Sequence, residues 1–157
     1  MTRIHLATGL ALRDDRVLLV ASHYPSHPEP LWNLPGGRQQ HGELLAHTVA
    51  RETREETGLE ATVGDVAYVS ESYDGAVHVL NVTFTMSVRG EITLPTEGDH
   101  VTQARWIARA DLAQYLAVAV VREPLLAYLD RARRYAGYPE AGISVRWPDE
   151  NASRSTM

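Results

Sequence analysis

Glu43, Glu52, Glu55 and Glu56 place four carboxylates within fourteen positions. At about 100° per residue, Glu52, Glu55 and Glu56 share an arc of roughly 100° on a helix. Ala46, Val49, Ala50, Thr53 and Thr57 make a stripe of small residues beside it. Like charges at i, i+3 and i+4 cost an isolated helix a few tenths of a kcal/mol per pair, roughly. A hard divalent cation would reverse that sign, since Mg²⁺ prefers oxygen ligands and is held by one or two carboxylates plus substrate phosphates. A solvated acidic face with Arg51 and Arg54 as local partners accounts for the charge pattern equally well. Upstream, Gly36-Gly37 supply a backbone able to turn sharply and approach a ligand, and Gly58 stands where a helix would stop.

The spacing favours the cation. From Gly37 the chain reads five residues, Glu43, seven residues, then Arg51-Glu52-Thr53-Arg54-Glu55-Glu56-Thr57-Gly58-Leu59. This resembles the Nudix box of the Nudix hydrolase superfamily. Seven fixed identities, each of residues at about 5 to 7% of an average chain, coincide by chance on the order of once in 10⁹ starting points. The one departure is Thr53, where the family usually has an aliphatic residue. The motif covers about a sixth of the chain, and Leu31 to Pro35 before it also looks like the strand that leads into the box.

By that resemblance Glu52 and Glu56 bind the metal, Glu55 shares the metal or acts on the attacking water, and the backbone carbonyl of Gly36 is a further ligand. The implied cofactor is Mg²⁺, with Mn²⁺ as the alternative. Cleaving a diphosphate requires charge neutralisation on its oxygens, an in-line water and removal of a proton. Glu55 is the first candidate for the base, and Glu97 or Asp99 in the Thr96–His100 loop is the second. Arg51 and Glu43 are read as an ion pair that orients the loop against the helix.

The surrounding elements must position these groups. Leu6, Thr8, Leu10 and Leu12 alternate with smaller residues, Arg13 to Arg16 carries turn chemistry, and Val17 to Val20 suits a strand covered on both faces, so Ile4 to Ala21 predicts a hairpin. Pro25, Pro28 and Pro30 make the next segment a loop, in which His23, Tyr24 and His27 are candidate substrate contacts. Trp32 reads as packing rather than as a base-stacking residue. Arg38 is a candidate phosphate clamp. Strands are expected from Thr62 to Tyr73, from Leu80 to Val88 after an Asp74-Gly75 turn, and from Gln103 to Ile107, with Glu91–Leu94 a short strand or extended piece. A helix begins near Ala110, and a second runs from Glu123 to about Tyr135 with Pro124 in its first turn. Ile143 to Trp147 is an edge strand or a dimer contact, which leaves a homodimer open.

Strand-strand-helix-strands-helix-helix implies an α/β architecture, and the resemblance implies an α/β/α sandwich with a mixed sheet. Residues 1–147 are expected to form a single domain, and 148–157 a frayed polar tail. The chain has 157 residues, 44% hydrophobic, without cysteine, which excludes disulfides, thiolate zinc and cysteine nucleophiles. A formal charge of -5 offers no footprint for duplex nucleic acid. With no bilayer-length apolar run and no signal-peptide pattern, no membrane association is expected and a cytoplasmic location is. The expected function is Mg²⁺-dependent pyrophosphohydrolysis of a nucleoside diphosphate linked to another moiety, of (d)NTP type, by water attack at phosphorus. The alternatives are a non-catalytic nucleotide or ADP-ribose sensing domain and isoprenoid diphosphate isomerisation. The missing cysteine argues against the isomerase.

Overall fold

Strands β1 (Thr2–Arg13) and β2 (Arg16–Ser22) meet at Asp14 and Asp15, both left-handed at φ 50° and 60°, and Arg13 pairs with Arg16 across them. Two successive positive-φ residues give a two-residue turn whose twist matches the strands, and aspartate tolerates that conformation better than most residues. The computed structural model describes residues 2–95 and 100–140. Within them β3 (Leu31–Asn33), β4 (Gly36–Arg38), β5 (Glu60–Asp74), β6 (Val77–Arg89), β7 (Val101–Ala108) and β8 (Tyr135–Tyr138) complete an eight-stranded sheet. Its path is β3-β2-β1-β6-β5-β8, with β4 beside β1 and β7 beside β2. The sheet is mixed: β1 with β6 and β5 with β8 run parallel, and the other pairs antiparallel.

Helix α1 (Leu45–Thr57) covers one face, burying Val49, Thr53 and Thr57 completely. It lies close because β1 presents Ala7, Gly9 and Ala11 to it. A Cβ on Gly9 would stand 2.9 Å from Val49 Cγ1 and 2.4 Å from Met86 Sδ. The hydroxyl of Thr53 is directed at Met86 Sδ, 3.6 Å away, so the departure from an aliphatic residue is absorbed by a weak thioether acceptor. The helix ends at Gly58 (φ 74°), whose N–H returns to the Arg54 carbonyl.

The opposite face carries a 3-10 turn (Arg109–Asp111), α2 (Leu112–Tyr115) and α3 (Ala119–Leu129). Their Leu112, Leu116 and Leu125 are fully buried against Leu10, Val17, Leu19, Leu34 and Tyr68. Full burial of each such leucine stabilises by about 1.5–3 kcal/mol. The architecture is therefore an α/β/α sandwich.

Several expectations change on contact with the tertiary structure. β1 is buried on both faces from Leu6 to Ala11, because each face meets a helix layer, so its alternation does not divide core from solvent. β6 likewise is half-buried along most of its length, and its buried positions are Thr83 and Met86. The β5–β6 turn sits one residue later than expected, at Gly75-Ala76, with Asp74 paired to Val77. α3 begins at Ala119, which puts Pro124 inside the helix rather than in its first turn, and it stops at Leu129. Beyond it Arg131 turns left-handed at φ 57°, and the Arg134 guanidinium donates to the carbonyls of Val66 and Ala67. Those bonds draw Tyr135–Tyr138 onto β5 as a parallel strand, a tertiary effect that overrides the local helical preference. Of the two readings of Glu91–Leu94, a short strand or an extended piece, the strand does not form, and Thr93 N–H donates to the Thr57 carbonyl at the end of α1. Ile143–Trp147 and the segment 148–157 lie outside the described residues.

Candidate functional site

The site is made where β4 passes the carboxylate face of α1. Gly36 adopts φ 156° with its backbone so close to β1 that a Cβ would stand 2.2 Å from the Ala7 carbonyl oxygen. A Cβ on Gly37 would stand 2.7 Å from the carboxyl carbon of Glu52. Only glycine lets that carboxylate lie against the strand. The Gly36 N–H donates to Glu56 Oε1 at 2.8 Å, and Glu56 is 3% exposed, an unusual burial for a carboxylate in this acidic chain.

Arg51 collects the remaining acids. Its Nε and Nη2 donate to the two oxygens of Glu43 at 2.7 and 3.0 Å. Nη1 donates to Glu52 Oε1 at 2.9 Å and Glu55 Oε2 at 3.1 Å, and Nη2 also reaches the Arg38 carbonyl at 3.3 Å. All the guanidinium N–H groups thus have acceptors, which offsets the like-charge repulsion along α1. Glu43 accepts further bonds from the Gln40 N–H and the Thr48 hydroxyl. Its carboxyl is pulled down to about 2, chiefly by Arg51, and the Arg51 guanidinium is pushed above its usual range chiefly by Glu43.

Gly36, Gly37, Arg38, Glu52, Glu56 and Tyr24 line one cleft of about 370 Å³. Tyr24 is 7% exposed, and burial, with the negative charge of Glu56 second, pushes its phenol up to about 12. It is therefore a neutral hydrogen-bond donor at any ordinary pH. Glu55 is half-exposed and stands outside the cleft wall, tethered to Arg51, and Glu43 is also outside it. His23 is exposed with its N–H on the His100 carbonyl, and the His27 N–H bonds the Tyr24 carbonyl. Neither imidazole lines the cleft. Glu97 and Asp99 lie outside the described residues. Among the described residues no three His, Asp or Glu side chains are already gathered as a ready-made ligand shell.

Sequence reasoning missed Thr8, Ser22, Asn33, Gln39 and Gln40 in the cleft wall. It also missed an adjoining side chamber of about 110 Å³ between the sheet and the segment Val118–Val121. Trp32 lines that chamber while packing edge-on against Tyr115 at 5.2 Å. The available signal was the alternation Ser70, Ser72, Asp74, three polar side chains on one face of β5 that faces inward.

The family model described as NUDIX domain matches residues 3–129. A CTP pyrophosphohydrolase of Escherichia coli (strain K12) is 35% identical over 65 residues, covering 41% of this chain and 48% of that protein. An NAD-capped RNA hydrolase NudC of Vibrio atlanticus (strain LGP32) is 27% identical over 124 residues, covering 79% of this chain and 45% of that protein. The chain spans about half the length of the curated relatives it matches. The crystal structure of a MutT NUDIX hydrolase from Burkholderia pseudomallei superposes with a TM-score of 0.65 at 27% identity, covering 76% of this chain and 94% of that one.

Proposed function

Because the chain belongs to the NUDIX family, we propose that it is a Mg²⁺-dependent hydrolase that cleaves a diphosphate bond in a nucleoside diphosphate linked to another moiety, of (d)NTP type. One observation carries this reading: Glu52 and Glu56 come together with Gly36 and Gly37 in one cleft wall, with Glu56 buried and held by a backbone N–H. The donor set is all oxygen, and Gly37, which lacks a Cβ, lets the Glu52 carboxylate lie against β4 in the cleft wall that Glu56 shares, so the residues fit a small hard cation. Glu52 and Glu56 would hold it, with Glu55 and the Gly36 carbonyl as further candidates. When bound, the ion neutralises phosphate charge and lowers the pKa of a water.

The chain's own residues divide the remaining work. Gly36 fixes Glu56, and Arg51 fixes Glu43 and Glu52 against the β4 loop, so the carboxylates keep their places before substrate arrives. Glu55, exposed to solvent, is the candidate to take the proton from the attacking water. Arg38 and the neutral Tyr24 phenol face the same cleft and can donate to phosphate oxygens.

The test is a metal-dependent hydrolysis screen over canonical and oxidised (d)NTPs, ADP-ribose, dinucleoside polyphosphates and nucleotide sugars, repeated with Glu56→Gln. Turnover that needs Mg²⁺ and Glu56 is expected. Tight nucleotide binding without any turnover would replace the enzyme reading with that of a sensing domain.

A further inference from the structure

Thr48 is fully buried in α1, so its hydroxyl has to find an acceptor within the protein. Two lie near: Glu43 Oε1 at 3.1 Å and the Leu44 carbonyl, four residues back, at 3.4 Å. The Leu44 carbonyl already accepts the Thr48 backbone N–H at 3.1 Å, and the carboxylate is both nearer and charged, so the single hydroxyl proton goes to Glu43. We propose that Thr48 is a positioning residue of the cleft: its hydroxyl fixes the aim of the Glu43 carboxylate and, through Glu43 and Arg51, the direction of Glu52 and the course of Arg38–Gln40. This role rests on the diphosphate reading of the cleft and adds to it a residue that stands outside the cleft wall.

Two connections carry the effect. The first runs along α1. Glu43 Oε1 takes three donors, the Gln40 N–H at 2.9 Å, Arg51 Nη2 at 3.0 Å and the Thr48 hydroxyl, whereas Oε2 takes Arg51 Nε at 2.7 Å. Thr48 and Arg51 stand at i and i+3, so both reach Glu43 from one face of the same helix. Arg51 is a long side chain, and its Nη1 is drawn to Glu52 Oε1 and Glu55 Oε2. Because the guanidinium is planar, holding Nε and Nη2 on a fixed carboxylate also fixes where Nη1 points. Without the hydroxyl, and among the described residues, the arginine alone ties that carboxylate to α1, and the two can swing together. The second connection reaches the cleft wall. The Glu43 N–H donates to the Gln40 carbonyl at 3.1 Å, the Glu43 carbonyl accepts Gln39 Nε2 at 2.8 Å, and Arg51 Nη2 reaches the Arg38 carbonyl at 3.3 Å. Arg38, Gln39 and Gln40 all line the cleft, so a Glu43 that turns takes part of the wall with it.

Thr48→Val keeps the shape and removes the donor, and Thr48→Ser keeps the donor. Two readouts on the full chain test the role. The first needs no substrate: exchange of the Arg51 Nε–H with water, followed by NMR, is expected to be about fivefold faster in Thr48→Val, the scale of one hydrogen bond, and close to the parent in Thr48→Ser. The second is steady-state kinetics across a Mg²⁺ titration on the substrate that the hydrolysis screen identifies. At saturating Mg²⁺, kcat should fall about three- to tenfold in Thr48→Val and recover in Thr48→Ser. Glu43 Oε1 keeps two donors in Thr48→Val, so Tm should hold while kcat falls. Unchanged exchange in Thr48→Val, or an unchanged kcat where the parent turns over, overturns the proposal. So does a loss of kcat that follows a loss of Tm or that Thr48→Ser does not recover. Faster exchange in Thr48→Val of a chain that hydrolyses no diphosphate refutes the reading of the cleft alone. Hydrolysis with parental exchange and kcat in Thr48→Val refutes the role of Thr48 alone.

Discussion

The carboxylate cleft and the side chamber adjoin, but they are built by different means. The cleft takes its acids from one 13-residue helix and its close approach from a 3-residue strand a few positions upstream. The chamber takes its wall from β1, β3, β5, β6, β8 and the start of α3, which lie far apart in sequence. The cleft is charged and held by hydrogen bonds to Arg51 and Gly36. The chamber is aromatic and aliphatic over a polar floor. A local motif thus lays out the cleft, while the chamber depends on packing that many segments share.

Substitutions that strike one region and spare the other test that separation. The largest effect is expected from Glu56→Gln or Glu52→Gln, which should lower kcat by about 10²- to 10³-fold, the scale on which one electrostatic contact to a reacting centre acts. Steady-state kinetics on the diphosphate substrate that the screen identifies checks it, and an unchanged kcat would overturn the placing of the cation on these two carboxylates. Arg51→Lys keeps the charge but loses the fork that holds Glu43, Glu52 and Glu55 together. A fall in activity of about 10- to 100-fold is expected, as for other groups that orient metal ligands. Steady-state kinetics across a Mg²⁺ titration would check it.

Two smaller effects concern stability. Thr53→Val replaces a fully buried hydroxyl, whose acceptor is only a thioether, by a methyl group of similar shape. A gain of about 0.5–1 kcal/mol is expected, roughly 1–4 °C in Tm for a domain of this size, which thermal melts would check. Glu43 sets an acid limit. Its carboxyl lies below the usual 4.5, at about 2, so its stabilisation is fully present above pH 4.5 and is lost as pH falls from there through 2. Thermal melts between pH 5 and 2 should show a shallower decline in Glu43→Gln than in the parent chain. Equal slopes would mean that the Arg51–Glu43 pair does not contribute to the acid limit.

Much of the cleft was legible in the sequence because α-helical periodicity converts spacing directly into direction. Glu52, Glu55 and Glu56 at i, i+3 and i+4 had to share a face, and Gly36-Gly37 announced a close approach. Burial was not legible. The sequence presents the three acids alike, yet Glu56 is almost wholly enclosed and Glu55 is half-exposed, a difference set by which side of α1 meets β4. Nor could the loop residues be sorted. Tyr24 turns into the cleft, whereas His23, next to it, is exposed.

The helix after Pro124 shows the same division from the other side. A run of arginine and alanine reads as continued helix, but the Arg134 guanidinium finds the carbonyls of Val66 and Ala67 and the chain becomes an edge strand. That strand brings Tyr138 to the chamber. The sequence alone determined the family and the acids of the cleft, because both follow from spacing along one short stretch, and the order of strands and helices along the chain already implied an α/β architecture. Only the tertiary structure decided how deeply each acid is buried and which segments wall the chamber, because both depend on contacts between elements whose registers no local pattern encodes.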